Sequence, residues 1–193
     1  LTSAFKDGFF EVQDAGSQKI VEFLDVKPGM RVVDACAGAG GKTLHLAALM
    51  ENKGQIIAMD IHGWKLAELK RRAKRAGAHN IETREITDNK VIKRLHEKAD
   101  RLLIDAPCSG LGVLKRNPDS KWKIDQDFID RIRKEQETIL QDYSKIIKKG
   151  GKMVYATCSI LPSENNEQVE NFLKNNSDFK LIKAEKVKPS TGF

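Results

Sequence analysis

Short apolar runs alternate with longer amphipathic stretches along the 193-residue chain. The runs at residues 31–34, 55–60, 81–84, 101–105 and 152–156 predict strands, and residues 179–182 are a weaker sixth candidate. Apolar residues recur every three or four positions in the stretches 42–50, 63–76 and 91–97, which is typical of amphipathic helices. Such alternation predicts βαβ units, and therefore an α/β fold with a mostly parallel sheet and helices on both faces.

Capping residues indicate where several of the helices begin and end. Gly77 follows the helix at 63–76, and Asp125 is placed to cap a long helix that we expect to end at Gly150 and Gly151. Ser163 is expected to open a last helix, which carries Val169 and Phe172. The predicted inner face of the long helix comprises Phe128, Ile132, Ile139, Tyr143 and Ile147.

A glycine-rich loop follows the first strand and opens the next helix. Residues 34–43 read Asp-Ala-Cys-Ala-Gly-Ala-Gly-Gly-Lys-Thr. Ligands of doubly wound folds bind beyond the carboxyl ends of the strands, and glycines let the backbone approach a ligand closely. Three glycines, Gly38, Gly40 and Gly41, exceed what a turn requires, so the loop predicts a ligand site.

Two classes of ligand compete for this loop. Its end, Gly-Lys-Thr, matches a P-loop, but the first glycine of that motif falls on Cys36. A dinucleotide-binding loop would need a sixth-position glycine where Thr43 stands. A nucleoside cofactor such as S-adenosylmethionine fits better, because Asp60 ends the second strand about 20 residues further on and can accept both ribose hydroxyls. Asp88, beyond the third strand, is placed for the adenine amino group.

Two cysteines follow two strands that we expect to be neighbours, on the same edge of the sheet as the glycine loop. Cys108 follows the fourth strand and Cys158 the fifth. A lone cysteine is usually a buried small apolar residue, whereas two at matching positions suggest thiol chemistry. Addition of a thiolate to carbon 6 of cytosine would make carbon 5 nucleophilic enough to take a methyl group. Lys42 and the cofactor sulfonium could favour the thiolate, and Asp105 could hold the base.

Together these segments resemble the Sun/Fmu family of RNA (cytosine-5) methyltransferases. The matching motifs are Val-Gln-Asp-Ala-Gly-Ser-Gln at 12–18, the loop at 34–43, Asp-Ala-Pro-Cys-Ser-Gly-Leu-Gly at 105–112, Arg-Asn-Pro-Asp at 116–119 and Tyr-Ala-Thr-Cys-Ser-Ile-Leu-Pro-Ser at 155–163. They run through nearly the whole chain in the family's order, and the paired Pro-Cys and Thr-Cys-Ser motifs are highly specific. One departure is Gly-Ala at 38–39, where the family commonly has Ala-Pro. The missing proline makes the loop more flexible.

The resemblance implies a Rossmann-like class I methyltransferase fold with S-adenosylmethionine as cofactor. It implies that Cys158 is the nucleophile and that Cys108 helps release the methylated base, although the swapped assignment remains open. The implied cofactor-binding residues are Cys36, Ala37, Gly38, Ala39, Gly40, Gly41, Lys42, Asp60, Asp88 and Asp105. Family members usually carry an N-terminal RNA-binding extension and one more C-terminal strand. Residues 1–193 are therefore expected to be a single catalytic domain from a longer protein.

The charge of the chain favours a polyanionic partner. Its formal net charge is +7 and its pI about 9.3, which suits RNA; ribosomal RNA is favoured over transfer RNA. The basic helix at 63–76 is interpreted mainly as a solvated face, while Lys115, Arg116, Lys121 and Trp122 are candidates for substrate contact. A P-loop NTPase and a noncatalytic RNA-binding module remain alternatives.

Composition also indicates in which compartment the protein works and whether it binds a metal. No apolar run approaches the roughly 20 residues that span a bilayer, and the first ten residues lack the apolar core of a signal peptide. The histidines show no metal-ligand spacing with the cysteines, so no metal is expected. Three cysteines, an odd number, indicate reduced thiols in a cytoplasmic protein.

Overall fold

The computed structural model describes residues 2–187, which form two compact units. The first unit comprises the residues up to Asp105 together with Tyr143–Val154, and the second comprises Ala106–Asp142 together with the residues from Tyr155 onward. The interpretation of residues 1–193 as one catalytic domain that lacks a last strand stays a prediction. In part it concerns residues 188–193, which lie outside the described residues.

Five strands and eight α-helices account for the regular structure of the described residues. In chain order they are α1 (Ser3–Lys6), α2 (Ala15–Phe23), β1 (Arg31–Asp34), α3 (Gly41–Leu49), β2 (Gln55–Asp60), α4 (Gly63–Arg75), β3 (Ile81–Glu85), α5 (Asn89–Lys93), β4 (Ala99–Asp105), α6 (Ser120–Lys123), α7 (Gln126–Tyr143), β5 (Ile147–Ala156) and α8 (Asn166–Asn175). Short 3-10 helices cover Leu111–Val113, Ser144–Ile146 and Pro162–Glu164.

The strands form one sheet in the order β3-β2-β1-β4-β5. The central strand β1 is parallel to both β2 and β4, with Asp34 opposite Ala58 and Leu103, and β2 is parallel to β3. The α/β fold and the neighbouring positions of the fourth and fifth strands are therefore confirmed. Because β1 is central, the loop that follows it lies where the strand order reverses, which is the usual ligand site of such sheets.

Burial along β1 shows that both faces of the sheet are covered. Val32 and Val33 point to opposite faces because side chains alternate along a strand, and both are completely buried. Val32 packs with Leu46 of α3, Ile56 of β2 and Leu103 of β4. Burying a branched apolar side chain contributes about 1.5–3 kcal/mol, so this packing holds the start of the loop after β1 firmly in place.

The long helix ends earlier than the sequence suggests. α7 begins at Gln126, where Asp125 Oδ1 accepts the Phe128 N–H at 2.8 Å, as expected for a capping residue. It ends at Tyr143, and β5 runs through Gly150 and Gly151, so the prediction that these glycines end the helix is wrong. The carbonyls of residues 145 and 146 accept hydrogen bonds from the N–H groups of residues 97 and 98, just before β4. These contacts draw the chain toward the sheet, which helical spacing alone cannot reveal.

Two predictions near the C-terminus are also corrected. Residues 179–182 form no strand: Leu181 and Ile182 are exposed, and the Phe179 ring packs edge-to-face on Phe172, 5.1 Å between centroids. Ser163 lies in the 3-10 helix before α8 rather than at the start of α8. α5 likewise lies at Asn89–Lys93, slightly before the predicted 91–97. Among residues 2–187, no helix is both long and apolar enough to cross a bilayer.

Candidate active site

The loop after β1 is tied to the end of β2 through Asp60. The N–H of Gly38 donates to Asp60 Oδ2 at 2.9 Å, and the N–H of His62 donates to Oδ1 at 2.8 Å. These two bonds fix the orientation of the carboxylate. Each carboxylate oxygen can accept two hydrogen bonds, so one acceptor position per oxygen remains for a ligand. A pair of ribose hydroxyls has the donors that such a carboxylate needs.

The glycines of the loop are packed on one side and open on the other. Gly40 has a φ of +88°, and a Cβ there would lie 2.5 Å from Leu69 Cγ, so only glycine fits against α4. A Cβ at Gly38 or Gly41, in contrast, would meet no heavy atom within 4 Å. The loop therefore leaves free space beside exposed backbone, and together with Asp60 it fits the nucleoside part of S-adenosylmethionine.

Asp34 and Thr43 form a buried pair beneath the loop. Thr43 Oγ1 donates to Asp34 Oδ2 at 2.7 Å, both residues are almost completely buried, and Asp34 Oδ1 accepts no hydrogen bond within the described part of the chain. Burial raises the pKa of Asp34 to about 7. In a P-loop the equivalent hydroxyl binds the metal ion of the nucleotide. Because Thr43 is buried and already bonded, the loop does not fit that alternative.

Lys42 and Asp105 are brought together at the ends of α3 and β4. Lys42 Nζ donates to Asp105 Oδ2 at 2.7 Å, and the Asp105 side chain keeps 31% of its surface exposed. The two residues come from distant parts of the chain, and the structure places them together as the expected site requires. Asp105 partly neutralises the positive charge that Lys42 alone would supply.

Two side chains whose role the sequence interpretation missed, Arg72 and Gln13, bond to the loop, and Glu11 and Arg75 support Arg72. Arg72 of α4 donates from Nη1 to the Ala39 carbonyl at 2.8 Å and from Nη2 to Glu11 Oε2 at 3.0 Å, and Arg75 also pairs with Glu11. Gln13 Nε2 donates to the Gly41 carbonyl at 3.3 Å. The interpretation of the basic helix as solvated is therefore wrong for Arg72 and Arg75. No local signal links them to Glu11, about 60 residues earlier.

The remaining predicted cofactor residues have simpler surroundings. Cys36 is half-buried, and the Ala37 N–H donates to the Met59 carbonyl at 2.8 Å. Asp88 is exposed and caps α5, accepting the Lys90 N–H at 2.7 Å. The capping bond gives Asp88 a structural task, and its contact with adenine stays a prediction.

The second unit brings the two predicted catalytic thiols into contact. Cys108 Sγ and Cys158 Sγ lie 3.2 Å apart, and the Cys158 N–H donates to Cys108 Sγ at 3.3 Å. The hydrogen bond with Cys158, and then burial, raise the pKa of the Cys108 thiol far above its usual range. Either sulfur can be the donor of the hydrogen bond between them.

A buried carboxylate beneath the thiols was also missed by the sequence interpretation. Glu164 is completely buried and accepts hydrogen bonds from Ser109, Ser159 and Gln136. The signal in the sequence is that Cys108 and Cys158 are each followed by a serine. Within residues 2–187, no three His, Cys, Asp or Glu side chains are grouped so as to hold a metal ion.

Residues 21–192 match the protein family described as 16S rRNA methyltransferase RsmB/F. The chain belongs to this family. One relative, the probable ribosomal RNA small subunit methyltransferase B of Synechocystis sp., is 40% identical to this chain over 187 residues. These residues are 96% of this chain and 42% of that protein. The resemblance noted from the motifs is therefore confirmed.

Two solved structures confirm the methyltransferase fold of this RsmB/F chain. The crystal structure of PH0851 matches with a TM-score of 0.91 and 37% identity over 95% of this chain and 42% of that one. NSun6 from Pyrococcus horikoshii, solved with the S-adenosylmethionine analogue SFG, matches with a TM-score of 0.82 and 32% identity over 91% of this chain and 44% of that one. The chain thus spans less than half the length of each of these three relatives.

Proposed function

We propose that this chain is the catalytic part of an enzyme that transfers a methyl group from S-adenosylmethionine to carbon 5 of a cytosine in RNA. The observation that carries the proposal is the pair of thiols 3.2 Å apart, one in each of the two cysteine motifs. Methyl transfer to an amine or hydroxyl requires no thiol, whereas carbon 5 of cytosine becomes reactive only after a nucleophile adds to carbon 6.

Cys158 is proposed as the nucleophile. Its thiolate forms a bond with carbon 6, and the electrons of the carbon 5–carbon 6 double bond move to make carbon 5 nucleophilic. When bound, S-adenosylmethionine supplies the methyl group that carbon 5 takes. A base then takes the proton from carbon 5, and the electrons of that carbon–hydrogen bond restore the double bond as the carbon 6–sulfur bond breaks and the thiolate leaves. The assignment follows the family resemblance, in which the cysteine of the Thr-Cys-Ser motif is the nucleophile.

Cys108 is proposed to assist the release of the methylated base. Its sulfur contacts that of Cys158, so it can hold a proton beside the leaving sulfur. If Cys108 is absent, the adduct between Cys158 and the base should form but break down slowly. That difference separates the roles of the two cysteines experimentally.

Asp105 and Lys42 are proposed to hold the base. Asp105 Oδ2 accepts from Lys42, which leaves Oδ1 to accept a hydrogen bond from the amino group of cytosine. Through this hydrogen bond, Lys42 orients the Asp105 carboxylate. For the cofactor, Asp60 is proposed to bind the ribose, the backbone at residues 36–41 to line the nucleoside, and Asp88 to contact the adenine.

We infer that ribosomal RNA is the substrate rather than transfer RNA, because the curated relative is named for the small ribosomal subunit. We also infer that the protein works in the cytoplasm. A reducing compartment suits a mechanism that needs two adjacent thiols, and none of the three cysteines, all within the described residues, forms a disulfide.

Trapping of the covalent adduct tests the proposal. Cys108→Ala, incubated with ribosomal RNA and S-adenosylmethionine, is expected to accumulate a protein–RNA adduct that survives denaturing electrophoresis. Cys158→Ala should give none, and a parallel reaction with transfer RNA should give little. Accumulation with Cys158→Ala alone would reverse the two roles. RNA binding without adduct or methyl transfer in the wild type would support a noncatalytic module instead.

A further inference from the structure

Glu164 is a carboxylic side chain that is completely enclosed by the protein. It ends the 3-10 helix Pro162–Glu164 and has no exposed surface. Burial of a carboxylate is very unfavourable unless hydrogen-bond donors surround it. Each of its two oxygens accepts two hydrogen bonds here, so the group is fully satisfied. Such a costly arrangement suggests a task that an apolar side chain could not perform.

The donors to Glu164 come from the two loops that carry the cysteines. Oε1 accepts from the hydroxyls of Ser109 and Ser159, both at 2.5 Å. Oε2 accepts from the Ser109 N–H at 2.8 Å and from Gln136 Nε2 at 3.0 Å. Gln136 also donates to the carbonyl of Pro107 at 2.9 Å. One carboxylate therefore connects the loop around Cys108, the loop around Cys158 and helix α7.

Each of these serines directly follows a cysteine. Fixing Ser109 and Ser159 on one carboxylate therefore limits how far the backbones of Cys108 and Cys158 can move apart. The two serine hydroxyls lie 3.0 Å apart and the two sulfurs 3.2 Å apart. A second link, from the Gly112 N–H to the Cys158 carbonyl at 2.8 Å, joins the same two loops.

We propose that Glu164 is a positioning residue which, through Ser109 and Ser159, sets the distance between the sulfurs of Cys108 and Cys158. The catalytic meaning of this distance rests on the proposed function. The distance itself does not depend on that function, because it is a property of the chain alone. The proposal therefore calls for a measurement that needs neither RNA nor cofactor.

The effective concentration of one thiol at the other reports their separation. It is measured by equilibrating the whole chain with mixtures of reduced and oxidised glutathione. Two thiols and one molecule of oxidised glutathione give one intramolecular disulfide and two molecules of reduced glutathione, so electrons and protons balance. Peptide mapping by mass spectrometry separates the Cys108–Cys158 disulfide from species that contain Cys36.

Glu164→Gln is expected to lower this effective concentration about tenfold, because the amide can no longer accept all four hydrogen bonds. The matched control is Glu170→Gln, the same change on the exposed side of α8, which should leave the value unchanged. Tyr155→Phe removes the hydroxyl that donates to the Glu164 backbone carbonyl at 2.9 Å but keeps the carboxylate network. It should shift the value less than twofold.

Ser159→Ala keeps the result decisive if Glu164→Gln does not fold. It removes one hydroxyl from Oε1, and we expect a fall of about threefold to fivefold in a folded protein. Cooperative thermal unfolding checks the folding of every variant. An effective concentration equal to that of the wild type in folded Glu164→Gln would overturn the proposal. If only Ser159→Ala folds, a wild-type value in that variant would overturn it. An equal fall with Tyr155→Phe would overturn it too, since general packing would then be the cause. Failure of methyl transfer, in contrast, would count only against the proposed function.

Discussion

At the scale of single residues, Asp34 is the clearest source of pH-dependent stability. Its pKa rises from 3.8 to about 7 on folding, so the folded state binds more protons than the unfolded state between these values. The free energy of unfolding therefore falls as pH rises through this window. Between pH 5 and pH 8 the loss is ~2–3 kcal/mol. Asp34→Asn should remove this component, because an amide does not titrate.

Urea unfolding at several pH values tests this prediction. As pH rises from 5 to 8, the unfolding free energy of Asp34→Asn should increase relative to that of the wild type. Asp25 is an informative contrast, because Lys27 and Lys152 lower its pKa to about 2 and it stays charged throughout this range. A pH-independent difference between Asp34→Asn and the wild type would show that Asp34 does not titrate in this window.

Asp60 is the residue on which cofactor affinity should depend most. Asp60→Ala removes the proposed acceptors for both ribose hydroxyls and frees the Gly38 N–H that now binds Oδ2. Calorimetric titration with S-adenosylmethionine should show a dissociation constant raised by about tenfold or more, as expected for lost hydrogen bonds to a charged group. Titration with Mg-ATP is the control and should give no binding heat. Unchanged affinity for S-adenosylmethionine would place the ribose elsewhere.

At the scale of structural elements, α4 and the segment before α2 jointly hold the cofactor loop. Arg72→Ala removes the hydrogen bond to the Ala39 carbonyl and should raise the dissociation constant of S-adenosylmethionine about fivefold, the effect of a bond worth ~1 kcal/mol. The matched control is Arg71→Ala on the same helix, because the Arg71 side chain is 79% exposed and pairs with Glu68 rather than with the loop. Calorimetry on both variants gives the comparison.

A proline in the loop should compensate for the loss of Arg72. The Ala39 N–H makes no hydrogen bond within residues 2–187, so Ala39→Pro removes none and reduces the freedom of the unliganded loop. Added to Arg72→Ala, it should restore part of the lost affinity. If Arg72→Ala and Arg71→Ala weaken binding equally, charge rather than the loop contact is responsible.

The elements also show which features a sequence can reveal. β1, β2, β4 and α4 were predicted at nearly their observed bounds, because their apolar residues follow the period of one element and capping or glycine residues flank them. The end of α7 was missed because Ile139, Tyr143 and Ile147 keep helical spacing across its true end. Just after the helix ends, the carbonyls of residues 145 and 146 accept hydrogen bonds from the N–H groups of residues 97 and 98 instead of from a further helical turn.

The same limit applies to the candidate site. The contacts of Cys108 with Cys158 and of Lys42 with Asp105 could be anticipated, because these residues belong to distinctive motifs that follow strands. Their roles stay predictions. The contacts of Glu164 and Arg72 could not be anticipated. Arg72 bonds to residues 33 and 61 positions away in the sequence, and Glu164 joins the nearby Ser159 to partners 28 and 55 positions away. Neither residue is distinguished from a surface residue by the apolar pattern around it. A search for buried carboxylates in the folded chain finds Glu164 directly.

At the scale of the whole molecule, the excess of basic residues should govern binding to RNA. The chain carries 34 Lys and Arg against 27 Asp and Glu. In the second unit, Trp122 is 80% exposed and Lys121 Nζ lies 4.8 Å from the centroid of its ring. A cation beside an exposed aromatic ring suits an unpaired base together with its phosphate.

RNA affinity should therefore fall steeply with salt. If about four phosphates are contacted, the affinity for a single-stranded RNA should drop roughly 50-fold between 50 and 200 mM KCl. Lys121→Ala should reduce the slope of log affinity against log salt concentration by about 0.7, whereas Trp122→Ala should lower affinity at every salt concentration without changing the slope. The contrast separates charge from stacking, because only a lost charge alters counterion release. Fluorescence anisotropy of a labelled RNA measures both quantities, with Lys180→Ala as a control lysine far from Lys121 in sequence. An affinity insensitive to salt would mean that the positive charge serves some purpose other than RNA binding.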